Sequence, residues 1–135
     1  MTWPTGQERE PSDAMDANMQ TLGQILIAVV ALAHIGFMIL EMFFWDHPVG
    51  RKTFRLTPEF SAASRALAAN QGLYNGFLAA GLIWALWSAR LDLTVFFLGC
   101  VIVAGIYGAL TVKPRIFFIQ ALPAILALTI VLLSP

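Results

Sequence analysis

Four apolar stretches, each close to the length of a bilayer crossing, constrain this chain more than any other feature. They run from about Leu22 to Trp45, Gly72 to Ala89, Leu93 to Val112 and Ile116 to Ser134. A hydrocarbon core of about 30 Å takes roughly 20 helical residues to cross. Lipid offers backbone N–H and C=O groups no partners, so a crossing segment must be a helix or belong to a closed barrel. None of the four shows the period-2 alternation of barrel strands, which leaves helices. Composition agrees: 59% of residues are hydrophobic, 12% are charged, and mean hydropathy is +0.75, outside the range of soluble domains. The expected fold is an all-α integral membrane protein, an antiparallel bundle of four transmembrane helices.

Two of the connections are tight, Arg90-Leu91-Asp92 and Lys113-Pro114-Arg115, and short links place sequential helices antiparallel and adjacent. The first connection, from Asp46 to about Gln71, is longer. It opens with Pro48 and Gly50. Thr57-Pro58-Glu59 then supplies a helix start: a capping hydroxyl, a proline in the first turn and an acid beside it. Phe60 to Ala69 is expected to be helical, either a short amphipathic helix on the membrane surface between helices one and two, or an extension of helix two. Residues 1–20, with Pro4, Gly6 and Pro11 and no apolar periodicity, read as a mobile polar tail ahead of a membrane domain at 21–135. Glu8, Glu10, Asp13 and Asp16 against Arg9 are unlike the basic start of a secretory signal, so the first helix is expected to be retained.

The net charge is zero, and no global field draws the chain to nucleic acid. Charge position is more telling. The first and third connections hold six basic residues, Arg51, Lys52, Arg55, Arg65, Lys113 and Arg115, whereas the other side holds Arg9 and Arg90. The positive-inside rule then puts both termini outside the cytoplasm, in a multi-pass protein of the bacterial inner membrane. Trp3, Trp45, Trp84 and Trp87 fall where interfacial aromatic belts would lie.

Ionisable groups inside a span are costly, about 2.5 to 3.5 kcal/mol on insertion scales, and require an interior partner. Helix one carries His34 and Glu41, seven residues and thus about two turns apart, on one face with Met38 between them and Trp45 one turn beyond. The topology places Gln71, Tyr74 and Asn75 of helix two, Tyr107 and Thr111 of helix three and Gln120 of helix four in the same leaflet as Glu41. The outer halves are nearly all apolar. The bland account of this cluster is interhelical hydrogen bonding that fixes register. The functional account is a cytoplasm-facing intramembrane pocket with Glu41 as its acid and Gln71, Asn75 and Gln120 orienting it. His34 lies deeper, and about 10.5 Å of rise separates it from Glu41. Haem ligation by His34 would call for a second axial ligand that His47, at the interface, cannot supply.

No metal site, phosphate-binding glycine loop or nucleophile with an adjacent base is legible in the sequence, and the single Cys100 excludes an intramolecular disulfide. Gly72, Gly76, Gly81, Gly99, Gly105 and Gly108 read as close-packing faces. Pro123, three residues after Gln120, frees a carbonyl in the preceding turn and is expected to kink helix four.

His34 through Trp45 (HIGFMILEMFFW), Phe54, the stretch NQGLYNGFLA from Asn70 to Ala79, and Gln120 with Pro123 resemble the small bacterial membrane proteins grouped as domain of unknown function 1304. The likeness runs from about Leu22 to the C-terminus. It implies a four-helix integral membrane protein and supplies no reaction.

The leading functional expectation is a lipid-embedded protein that binds a lipophilic or weakly polar small molecule in the pocket, or an accessory subunit of a larger membrane complex. Four helices of this length have little interior, so a homo-oligomer or a hetero-complex is expected. An enzyme is not favoured. If one exists, it is an isomerase-like acid–base catalyst of a hydrophobic substrate, with Glu41 as acid or base and His34 or Tyr74 as partner. An oligomeric transporter or channel is the remaining alternative, and no cofactor is specified.

Overall fold

The computed structural model describes residues 11–134, and every regular element among them is helical. Trp3 and Arg9, the first half of the expected tail and Pro135 lie outside the described residues. α1 runs Pro11–Phe43, α2 Pro48–Phe54, α3 Pro58–Ser88, α4 Leu91–Thr111 and α5 Leu122–Leu133, with α5 preceded by a π turn at Phe117–Ala121.

Local chemistry sets these boundaries. α1 carries Pro11 and Asp13 in the first of its described turns, where neither the missing N–H nor the acid is unfavourable. His47 caps α2, its Nδ1 accepting from Val49 N at 3.3 Å, with Pro48 in the first turn. Thr57 caps α3 as its sequence predicts, Oγ1 accepting from Phe60 N at 3.2 Å. α2 and α3 both end on left-handed residues that are not glycine, Arg55 at φ 59° and Ala89 at φ 50°. Each N–H returns to a carbonyl of the last turn, offsetting a backbone cost of about 1–2 kcal/mol.

The structure sharpens three expectations. Residues 11–20, counted with the polar tail, are helical and form turns of α1. Phe60 to Ala69 forms no separate surface helix and instead extends α3 at its N-terminal end; the short helix of this connection is α2, twelve residues earlier than Phe60. The disturbance at Pro123 is a π turn, with Leu122 N donating to Phe117 O. Widening the helix by one residue is a known remedy where a proline lacks its N–H.

Helix pairing follows from the close contacts of glycines. A Cβ at Gly72 would fall 2.7 Å from Met42 Cγ, and one at Gly76 2.7 Å from Met38 Sδ; rising numbers on α3 meet falling numbers on α1, so the two are antiparallel. They are also staggered. α1 continues past the last turn of α3 toward Pro11, and α3 continues past the last turn of α1 toward Pro58. Gly23 sits against Val131 of α5, and Gly105 of α4 sits against Ala121 of the π turn.

The core is made of small and medium side chains: Ile27, Val30 and Ala31 of α1, Leu82 of α3, Leu98 and Val101 of α4, and Ala124 and Ala127 of α5. Six of the eight buried residues of α3, Ala68, Gly72, Asn75, Ala79, Leu82 and Ala85, recur at three- and four-residue steps and form one stripe; Ser61 and Gly81 lie outside this run. The large side chains point outward instead, Leu67 at 74%, Leu110 at 82% and Trp87 at 89% exposure. α1 and α4 are, among the described residues, the helices long and apolar enough to cross a membrane, and Phe117–Leu133 is a shorter apolar helix.

Candidate functional site

The α1–α3 seam carries a cross-helix hydrogen bond between polar side chains. Asn75 Nδ2 donates to Glu41 Oε2 at 2.7 Å. Asn75 is buried and Glu41 half-buried. Gly72 makes this approach possible, because a Cβ there would meet Glu41 Cβ at 3.0 Å and the Met38 carbonyl at 3.1 Å. The stripe of small residues on α3 therefore does two jobs: it lets α1 in, and it sets an amide opposite the carboxylate.

Toward the C-terminal end of α1 the seam widens into an open groove of about 350 Å³, lined by Glu41, Trp45, Phe60, Ser64, Leu67, Ala68 and Gln71. One wall is fixed. Trp45 Nε1 donates to Ser64 Oγ at 3.0 Å, the Ser64 hydroxyl donates on to Phe60 O at 2.6 Å, and Phe54 packs on the indole at 4.8 Å between centroids. Behind this wall, Asp46 Oδ1 accepts from the Ser61 hydroxyl at 2.5 Å and from Arg51 Nη1 at 3.0 Å, tying the α1–α2 turn to α3. The Ser61 hydrogen bond and the Arg51 guanidinium hold the Asp46 carboxyl below its ordinary value. Gly50 completes the elbow, since a Cβ there would lie 1.9 Å from the Phe44 carbonyl oxygen.

The other sequence-predicted residues fall into different places. Gln71 is exposed on the groove rim. His34 is buried in the middle of α1, its Nδ1 2.8 Å from Val30 O and its Nε2 without a partner. The Val30 carbonyl assigns the proton to Nδ1. Tyr74 is exposed with its ring edge-on to Phe77. Tyr107 is exposed on α4, and the Thr111 hydroxyl donates to Tyr107 O within the same helix. Gln120 is half-buried within the π turn. The structure thus joins Glu41, Asn75, Gln71 and Trp45, and no hydrogen bond links Tyr107, Thr111 or Gln120 to them. His34 and Tyr74, the proposed acid–base partners, are likewise not hydrogen-bonded to Glu41. Among the described residues, no three His, Cys, Asp or Glu side chains are grouped to hold a metal ion.

Two features lie outside the sequence reading. The first is the Asp46–Arg51–Ser61 tie with its Trp45–Ser64 neighbour, for which the only local signal is the capping pair His47-Pro48. The second is a cleft of about 300 Å³ at the opposite end, where Gln20, Gln24, Arg90, Thr94 and Ser134 interrupt apolar walls. That half of the molecule is less uniformly apolar than its sequence suggests. Arg90 there is held by Asp92 through two hydrogen bonds.

The sequence and this architecture place the chain in a family: it belongs to the proteins described as protein of unknown function (DUF1304), matched over residues 28–132. A relative is the uncharacterized protein YpaA of Lactococcus lactis subsp. lactis (strain IL1403), 36% identical over 114 residues that cover 82% of this chain and 96% of the relative. No solved structure matches. The matched segment contains Glu41, Asn75 and every residue of the groove.

Proposed function

We propose that the protein is a polytopic membrane protein, with α1, α3, α4 and the π turn–α5 unit as its four spans, that binds an amphipathic small molecule in the groove beside Glu41. Support for the membrane reading is the inverted distribution of side-chain size. Alanine, glycine and a few medium residues pack the inside, while Leu, Phe, Ile and Trp cover the outside. Water would penalise such a surface at about 25 cal/mol per Å², whereas in lipid close packing of small residues is what holds helices together. The basic residues of the α1–α3 and α4–α5 connections orient both termini outside the cytoplasm, which turns the groove toward the cytoplasmic leaflet. Gly36 and Gly99 face open space, leaving flat patches on which a second copy or another membrane subunit can seat.

The observation that carries the binding reading is a carboxyl group set in the wall of an open, otherwise largely apolar groove whose indole wall is pre-positioned. Such concave, mostly apolar sites with a few fixed polar groups are the usual form of small-molecule sites. Native mass spectrometry of protein extracted gently from its membrane provides the test. A discrete adduct is expected on the native chain and not on Leu67→Trp, which fills the groove from the α3 side. Identical spectra for the two would refute the reading.

A further inference from the structure

Resting on the groove as the binding site, we infer that its ligand is a hydrophobic monocation, an amine or quaternary onium group bearing apolar substituents. Glu41 brings a carboxyl group into a wall shared with Trp45, Phe60 and Leu67, and the remaining polar lining, Ser64 and Gln71, is uncharged. Among the described residues both ion pairs lie elsewhere, on Asp46 and Asp92. Asn75 satisfies one Glu41 oxygen as a neutral donor and brings no counter-charge to it.

Among the described residues no arginine or lysine lines the groove, and Arg51 is bonded to Asp46 outside it. An anionic ligand would meet the carboxylate with like charge in a poorly solvated place, where charge interactions are strong. A neutral ligand would leave that carboxylate without a counter-charge, which is costly at such a site. A cation meets it directly, and the π faces of Trp45 and Phe60 add further attraction. The indole is already fixed by Ser64 and Phe54, so little ordering cost remains at binding.

The test compares two ions of one shape, tetraphenylphosphonium and tetraphenylborate, with the smaller, uncharged triphenylphosphine oxide. Each is titrated into the full-length protein in an uncharged maltoside detergent. Emission is read from Trp45 in a background with Trp3, Trp84 and Trp87 changed to Phe. The phosphonium is expected to saturate at a concentration at least tenfold below that of the other two. Glu41→Gln, which keeps the shape and the Asn75 contact, should erase the preference while leaving the elution profile and helicity unchanged. Should Glu41→Gln not be recovered folded, Leu67→Trp serves instead, read by equilibrium dialysis because it adds an indole, and must abolish phosphonium binding. Equal or tighter saturation by the oxide or the borate, still blocked by Leu67→Trp, would overturn the cation assignment and leave the groove standing. A preference that survives Glu41→Gln would overturn it as well. Saturation by none of the three would remove both the cation assignment and the groove.

Discussion

The α1–α3 seam and the contact between α4 and the π turn both depend on glycine, but what each glycine touches is different. Gly76 faces the sulfur of Met38, the flexible end of a side chain; Gly105 faces the backbone nitrogen and Cα of Ala121. A methionine can swing aside, whereas a main-chain atom moves only if the helix does. At Gly76 the molecule is closed by an adjustable side chain; at Gly105 it is closed by backbone.

That contrast can be broken by experiment. Gly105→Ala should destabilise the protein by about 3 kcal/mol, the upper end for an added methyl in a tight contact, when unfolding is followed in mixed detergent. Gly76→Ala should cost less than about 1 kcal/mol, with Met38 moving to make room. Equal losses at the two positions would end the distinction. Between them lies the polar tie of the α1–α3 seam. A double-mutant cycle on Glu41→Leu and Asn75→Leu, each of which removes the hydrogen bond, should give a coupling of about 1 kcal/mol, typical of hydrogen bonds between membrane helices. A coupling near zero would mean that the seam holds by shape alone.

The smallest effect sharpens the comparison at the elbow, where an exposed tie limits the groove. Asp46 titrates in the fold below its unfolded value of about 3.9. Its stabilising contribution is therefore complete above that value and fades as pH falls through it toward the lower folded value. Thermal scans from pH 6 to pH 3 should show an acid-side loss that Asp46→Asn removes. An identical acid limb in Asp46→Asn would assign the loss to other carboxylates.

The residues differ in how readily the sequence exposes them, for physical reasons. Thr57-Pro58-Glu59 marks the start of α3 because capping is a local interaction that three adjacent residues settle. Glu41 and Asn75 are recognisable as a pair because each is a costly polar group in an apolar run at matching depth, and cost forces partnership. Tyr107 and Thr111 share that depth, yet they point outward. α4 is apolar around its whole circumference, so nothing in its sequence fixes its rotation, and depth alone does not decide what faces inward. The elbow is hidden for another reason: Asp46, Arg51 and Ser61 are brought together by the reversal between α1 and α3. The π turn is hidden because a proline states that a helix is disturbed without stating how.

The stagger between α1 and α3 has a consequence for traffic. Because α3 runs on beyond the end of α1, the groove is a ledge along one rod and not a bore through a bundle. A solute already dissolved among lipid headgroups reaches a ledge by drifting sideways. On the proposed reading, such a ligand need not thread a pore, and neither its arrival nor its departure requires a door to move.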